Sequence, residues 1–419
     1  MIRNNDSTIL EGRTIALVSQ YFPPEGGAAA NRMNFFRHFL HENGATVMVL
    51  TAMPNYPEGV IHKPYRGKTW AKESHPWGAV LRSWCYVSKK RSAVRRIVNY
   101  LTYMVASIRW VRCLKSCDVV IFSSGPMFAG LVAFLAKKLY GVKVILDARD
   151  VWPDRIWESG AIGLPKILEK ALHGYEHFMY RNSMAITCAT QGVCDALSTR
   201  INHPVILEVV RNCDQVTNNS SALSFSSSKD TERVSIIEAG TIGWAQDPGN
   251  LCDAFKVLSN TSLSPASLHF AGLGPRVEEL LVDISGLSEH AHYVGNLSEN
   301  QLWEFLGNAD VGVVTLQPTT HNLMTVSRRV YDYARAGLAI VYCGAGEGAE
   351  LVEAVQAGIV VEPGDSAKLA AVLKSLVENK NELEKWKMRS KRLLEGELSP
   401  ESVGNKMVRI VKDVIETGK

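Results

Sequence analysis

Several features that would assign this chain quickly are missing. Its eight cysteines are scattered, with no Cys-x-x-Cys pair and no zinc spacing, which argues against a disulfide framework and fits a reducing compartment. No Asp-x-Asp carboxylate pair occurs in either half, so a metal is not required, although the lack of that pair does not exclude one; no cofactor is expected. The apolar run from Ile97 to Ile108, about 12 residues, is too short to span a bilayer. Met1 to Gly12 is mostly polar and does not read as a secretory signal, which points to a cytoplasmic protein. No solenoid repeat is visible, and the absence of any nucleic-acid motif sets nucleic acid aside as a partner.

What is present is a repeated grammar of strand, glycine loop and helix. Thr14 to Ser19 reads as a strand, followed by the loop Gln20 to Ala30 and a helix over Asn31 to His41. Further strands fall at Thr46 to Thr51, Val119 to Phe122 and Val142 to Leu146. The second half repeats this with strands at Val234 to Ala239, Ser267 to Ala271, His292 to Val294 and Val311 to Leu316. Each is followed by a glycine turn or a helix, as parallel doubly wound sheets require. In such sheets ligands sit beyond the carboxyl ends of the strands, where loop amides favour phosphate. The 419 residues exceed a single core by the usual domain prior. Two Rossmann-like domains are expected, 1–216 and 217–399, with the amphipathic segment 400–419 returning to the first. The Ser- and Asn-rich stretch Thr217 to Glu232 is the expected linker.

The densest chemistry lies at Ser327-Arg328-Arg329-Val330-Tyr331-Asp332, which begins a short helix ended by Gly337 and followed by an apolar strand. Arginine suits a diphosphate because its planar fork donates two hydrogen bonds and stays charged at any working pH. A carboxylate one turn along can accept hydrogen bonds from ribose hydroxyls.

Several segments in order carry a resemblance: Tyr21-Phe22-Pro23-Pro24-Glu25, Pro54-Asn55-Tyr56-Pro57-Glu58-Gly59, Asp147-Ala148-Arg149-Asp150-Val151-Trp152-Pro153-Asp154, Val210-Arg211-Asn212-Cys213-Asp214, Ala239-Gly240-Thr241 and Ser327-Arg328. With them the chain resembles the GT-B glycosyltransferases of family 4, on the branch typified by bacterial fucosamine transferases of surface-polysaccharide synthesis. The resemblance implies an α/β GT-B fold, two Rossmann-like doubly wound parallel-sheet domains facing across a cleft. It implies retaining transfer of a sugar from a nucleoside-diphosphate donor, with a lean to UDP, onto a glycan or polyprenyl-diphosphate-linked acceptor.

Site roles follow from the same resemblance. Asp332 would bind the nucleotide ribose, and Arg329, aided by Arg328, would meet the donor diphosphate. Thr241, Gly243 and Gly272 would lie along the donor, with Gly26 and Gly27 in the opposing loop of the first domain. The backbone at Val294 and Gly295 would lie against the base, and Leu323, Met324, Thr325 and Val326 would line the leaving phosphate. Asp150 or Asp147 would orient the acceptor hydroxyl. Five positions depart from the family pattern: Met324 and Asp332 stand where two glutamates are usual, Pro248 stands for the lysine of Lys-Gly, Cys213 replaces glycine, and Arg149 replaces a histidine. These departures keep open a catalytically idle relative serving as a binding or membrane scaffold; a sugar-nucleotide epimerase is the other alternative.

Charge bears on the acceptor. Residues 1–212 carry 27 Lys and Arg against 15 Asp and Glu, net +12, and the remainder is net −8. Within the basic half, residues 89–115 place cations on both sides of the apolar run. Such a segment either lies on an anionic membrane surface or forms a buried helix with a solvated basic end, and different faces of one helix can do both.

Overall fold

The computed structural model describes residues 9–56, 58–90, 93–154, 166–213, 233–259, 266–287 and 289–417. The chain forms two compact units, Met1–Gln215 with Pro400–Lys419, and Val216–Ser399. The stretch 217–232 read as a linker lies outside the described residues.

Unit 1 is built on eight strands: β1 (Thr14–Val18), β2 (Thr46–Ala52), β3 (Trp70–His75), β4 (Gly78–Ser83), β5 (Val119–Ser123), β6 (Lys143–Ala148), β7 (Ala185–Cys188) and β8 (Ile206–Val209). Their order is β3-β4-β2-β1-β5-β6-β7-β8. β1 and β5 are almost wholly buried apolar runs, the mark of a parallel sheet covered on both faces. The periodicity does not reveal β3, which runs antiparallel to β4. Its sequence Trp-Ala-Lys-Glu-Ser-His is largely polar and sits on the exposed edge, where no buried face imposes a hydrophobic pattern.

Helix α1 (Ala28–Glu42) buries Met33, Phe35, Phe36 and Leu40, and helix α2 (Ala93–Ser107) follows the β3–β4 hairpin. The terminal helix Pro400–Glu416 packs beside α1 and sends Val403, Met407, Val408, Val411 and Val414 into the unit 1 core. Fully burying each such side chain is worth roughly 1.5–3 kcal/mol. Gly404 allows the close approach: a Cβ there would lie 2.2 Å from the Phe39 ring. Lys143 Nζ also donates to the Ile415 carbonyl at 2.7 Å.

Unit 2 holds β9 (Val234–Ala239), β10 (Ala266–Ala271), β11 (Ala291–Gly295), β12 (Val311–Thr315), β13 (Ala339–Cys343) and β14 (Gly358–Val361). All are parallel, in the order β11-β10-β9-β12-β13-β14. Separate apolar cores cover its two faces. Helix α3 (Arg328–Ala336) starts at Ser327 and ends at Gly337, whose φ of 74° fits the left-handed cap that glycine supplies. The strand order reverses between β9 and β12, as it does between β1 and β5 in unit 1. Such reversals open a crevice at the carboxyl ends of the strands, where ligands of this fold class bind.

Candidate functional site

At the unit 2 reversal the two central strands part company. β9 and β12 pair only through Val311 with Ile236 and Gly312 with Ile237. Beyond that point side chains replace the ladder. The Tyr333 hydroxyl accepts from the Ala239 amide at 2.9 Å and donates to the Val313 carbonyl at 3.3 Å. Glu238, at the end of β9, accepts from the Thr315 hydroxyl of β12 at 2.9 Å. These contacts satisfy buried polar groups that the splayed strands would otherwise orphan.

Arg329 closes the arrangement from α3. Its guanidinium ion-pairs with Glu238 and donates from Nη2 to the Thr241 carbonyl at 2.5 Å. Arg329 and Glu238 are only 8% and 4% exposed. Burial pushes the Glu238 carboxyl up, while Arg329 and Thr315 pull it down. Arg329 therefore has a built-in counter-charge and fixes the Gly240–Gly243 loop from beneath. Arg328, one position earlier, is more exposed and pairs with Asp332 at 3.3 Å across one helical turn. That pair sits at the amino-terminal end of α3, where backbone amides and the helix dipole favour anions.

The donor residues read from the sequence fall in two groups. Thr241 and Gly243 follow β9, Gly272 follows β10, Val294 and Gly295 end β11, and Met324, Thr325 and Val326 lead into α3. All belong to unit 2, together with Arg328, Arg329 and Asp332. Gly272 is clasped in place: its amide donates to the Gly295 carbonyl at 2.8 Å, and the Tyr293 hydroxyl donates to its carbonyl at 2.7 Å. A Cβ at Gly272, where φ is +131°, would lie 1.8 Å from the Gly240 carbonyl oxygen, so only glycine fits between the two loops. Val326 is buried and Met324 half-buried. Glu238 and Thr315 are the site members that the motifs did not reveal. A glutamate inside the apolar strand Val234–Ala239 was the available signal, because a buried charge needs a partner.

Gly26, Gly27, Asp147 and Asp150 belong to unit 1. Gly26 and Gly27 are exposed where the chain enters α1. Asp150 is half-buried just past β6. Asp147 is fully buried, with its oxygens taken up by Arg32 Nη2 at 2.7 Å, Arg32 Nε at 3.0 Å and the Thr187 hydroxyl at 2.9 Å. Arg32 also donates from Nη1 to the Arg211 carbonyl at 3.0 Å. This network tethers the chain after β8 to α1.

Glu25 precedes the glycine pair. Its Oε1 accepts from the Asn55 and Tyr56 amides at 2.6 and 2.8 Å, while its buried Oε2 has no partner. Burial pushes the carboxyl up to about 7 from 4.5, outweighing the amide hydrogen bonds. A raised folded value means that its contribution to stability is fully present below pH 4.5 and is lost as pH rises towards 7. Glu25→Gln is expected to remove roughly 3 kcal/mol of that pH dependence from unit 1. Urea unfolding of both proteins across that window reads it, and parallel pH curves would refute it.

Helix α2 is built inside out. Its inner face is polar: Asn99 donates to the Tyr86 carbonyl and accepts from Gln20, both at 2.5 Å, Thr102 accepts from the Tyr86 amide at 2.9 Å, and Tyr103 donates to the Leu50 carbonyl at 3.1 Å. Val94, Ile97, Val98, Leu101 and Val105 form an exposed stripe at helical spacing, 37% to 61% accessible. No acidic residue occurs between Glu73 and Asp118, whereas Lys89, Lys90, Arg96, Arg109, Arg112 and Lys115 are all exposed. Among the described residues no helix is long and apolar enough to cross a membrane.

Residues 219–393 match the family described as glycosyl transferases group 1. The two units have the GT-B fold, and the family match falls within the second. Among solved structures, the chain is similar to HepE of Anabaena in complex with UDP and glucose, at TM-score 0.67 and 13% identity, over 96% of this chain and 100% of that one. It is also similar to sucrose-phosphate synthase of Thermosynechococcus elongatus, at TM-score 0.69 and 12% identity, over 97% and 100%. A UDP-forming α,α-trehalose-phosphate synthase of Burkholderia vietnamiensis gives TM-score 0.69 and 12% identity, over 98% of each chain. No curated protein matches this chain by sequence.

Proposed function

We propose that the protein is a retaining glycosyltransferase of the family 4 kind that takes its sugar from a UDP-sugar. The acceptor is a glycan carried on a polyprenyl diphosphate, in surface-polysaccharide synthesis. The observation that carries this is the buried Glu238–Arg329–Thr315 cluster at the β9–β12 reversal of a group 1 domain, with the Arg328–Asp332 pair beside it. Neighbours of this fold that were crystallised with UDP support the choice of base.

The environment of the two arginines reverses the order in which the motif ranks them. Arg328 is the cation that meets the diphosphate, exchanging part of its contact with Asp332 for phosphate oxygens, and Asp332 turns to the ribose. Arg329 is a positioning residue that holds the Thr241 carbonyl and so aims the amides of the 240–243 loop. In retaining transfer the acceptor hydroxyl attacks from the face that the nucleoside diphosphate leaves, so the protein's task is to stabilise charge developing on the leaving group. One well-placed donor of this kind is typically worth about 3 kcal/mol. Asp150, half-buried past β6, orients the acceptor hydroxyl.

The exposed apolar stripe of α2 and its basic surroundings suit the surface of an anionic leaflet, each cation near it contributing about 1 kcal/mol. One assay tests both parts: UDP release from UDP-sugars, with lipid-linked acceptor in anionic or neutral vesicles. Release should require acceptor and should be faster on anionic vesicles, with the protein floating alongside them. Indifference to lipid charge would remove the membrane role, and failure of every donor would leave the scaffold alternative.

A further inference from the structure

The loop that leaves β9 carries a large side chain that neither packing nor the proposed chemistry has absorbed. Trp244 is 70% exposed, although its neighbours Ile242 and Gly243 are buried. A single exposed apolar side chain is ordinary on a protein surface; this one is set apart by the loop that carries it and by the cation beside its ring.

The loop beneath it is fastened on every side. The Ala245 carbonyl accepts from Asn322 Nδ2 at 2.7 Å and from the Gln317 amide at 3.1 Å. The Gln246 carbonyl accepts from Arg276 Nη1 at 3.0 Å, and the Gln246 side chain accepts from the Gly243 amide at 3.0 Å. Arg276 is held by Glu279 at 2.5 Å and places its guanidinium 5.8 Å from the centre of the Trp244 ring. That spacing gives the indole a cationic support. The ring is therefore carried out from the sheet edge on a rigid mount, and little ordering entropy remains to be lost when a ligand covers it.

Its position in the chain identifies the ligand. Thr241 and Gly243 border the diphosphate in the function proposed above, on which this inference rests. The group bonded to the outer phosphate is the transferred sugar, and Trp244 is the next side chain along. A pyranose presents one face of C–H bonds that needs an apolar, flat partner, while its hydroxyls take the polar groups around it.

We infer that Trp244 is the platform on which the pyranose ring of the nucleotide-sugar donor stacks, making it a specificity residue for the sugar and not for the nucleotide. Titration calorimetry with UDP, UDP-glucose and UDP-N-acetylglucosamine, on the unaltered protein and on Trp244→Ala and Trp244→Phe, tests this. Trp244→Ala should weaken the bound UDP-sugar about five- to tenfold and leave UDP unchanged, with Trp244→Phe recovering most of the loss. Equal weakening of UDP and UDP-sugars would place the ring against the base or diphosphate and overturn the inference, as would no change in either. If UDP and the UDP-sugars all fail to bind the unaltered protein, the donor assignment falls, and this inference with it.

Discussion

Arg329→Ala should destabilise unit 2 by roughly 3–5 kcal/mol, because it strands Glu238 as a buried carboxylate without its counter-ion. The loss should depend on pH in a definite direction. Glu238 is already pushed up by burial and is pulled down mainly by Arg329. Without the guanidinium its folded value rises further, so the variant keeps most of its stability in acid and loses it as pH increases. Adding Glu238→Gln should return much of the stability, since an uncharged amide can still accept from Thr315, and a double-mutant cycle in urea measures that recovery. Turnover should fall about a hundredfold in Arg329→Ala with or without the second change, because the Thr241 carbonyl has lost its donor. Arg328→Ala should do the opposite, weakening donor binding with little effect on unfolding. Equal behaviour of the two arginine variants would dismiss the division of roles between them.

A second large effect is expected in unit 1. Asp147→Asn retains the shape of the side chain but removes the charge that balances Arg32, whose side chain is 1% exposed against 0% for Asp147. The cost should again be roughly 3–5 kcal/mol, read from the urea midpoint of unit 1 unfolding. Arg32→Met should loosen residues 211–212 as well, since Arg32 binds the Arg211 carbonyl and the Asn212 side chain. Because the carboxylate is fully engaged and sealed from solvent, the folded fraction of Asp147→Asn should retain its turnover, whereas Asp150→Asn should not. Loss of turnover with unchanged stability in Asp147→Asn would restore that residue as the group that orients the acceptor.

The sheet was legible where burial leaves a pattern. Strands such as Val311–Thr315 and Val119–Ser123 are covered on both faces and read as near-continuous apolar runs. The edge strand Trp70–His75 has no such constraint and did not register. The arginine-rich start of α3 was visible as a motif, but its meaning depends on Glu238, 91 positions earlier in the chain. Nothing local to Arg329 reports that its charge is balanced there. The Tyr333 hydroxyl, which joins two strands where their ladder stops, is hidden for the same reason. In α2 the apolar residues were evident, whereas the inward direction of Asn99, Thr102 and Tyr103 emerges only from the groups they meet.

The terminal helix Pro400–Glu416 gives the chain an unusual order of assembly. Unit 2 is continuous in sequence and can complete its sheet as soon as it leaves the ribosome. Unit 1, although it begins first, must wait with the Phe39 side of α1 uncovered until the helix Pro400–Glu416 arrives after unit 2. A nascent chain stalled or clipped before Pro400 would thus hold a finished second unit beside an unfinished first one, a species suited to capture by chaperones or proteases.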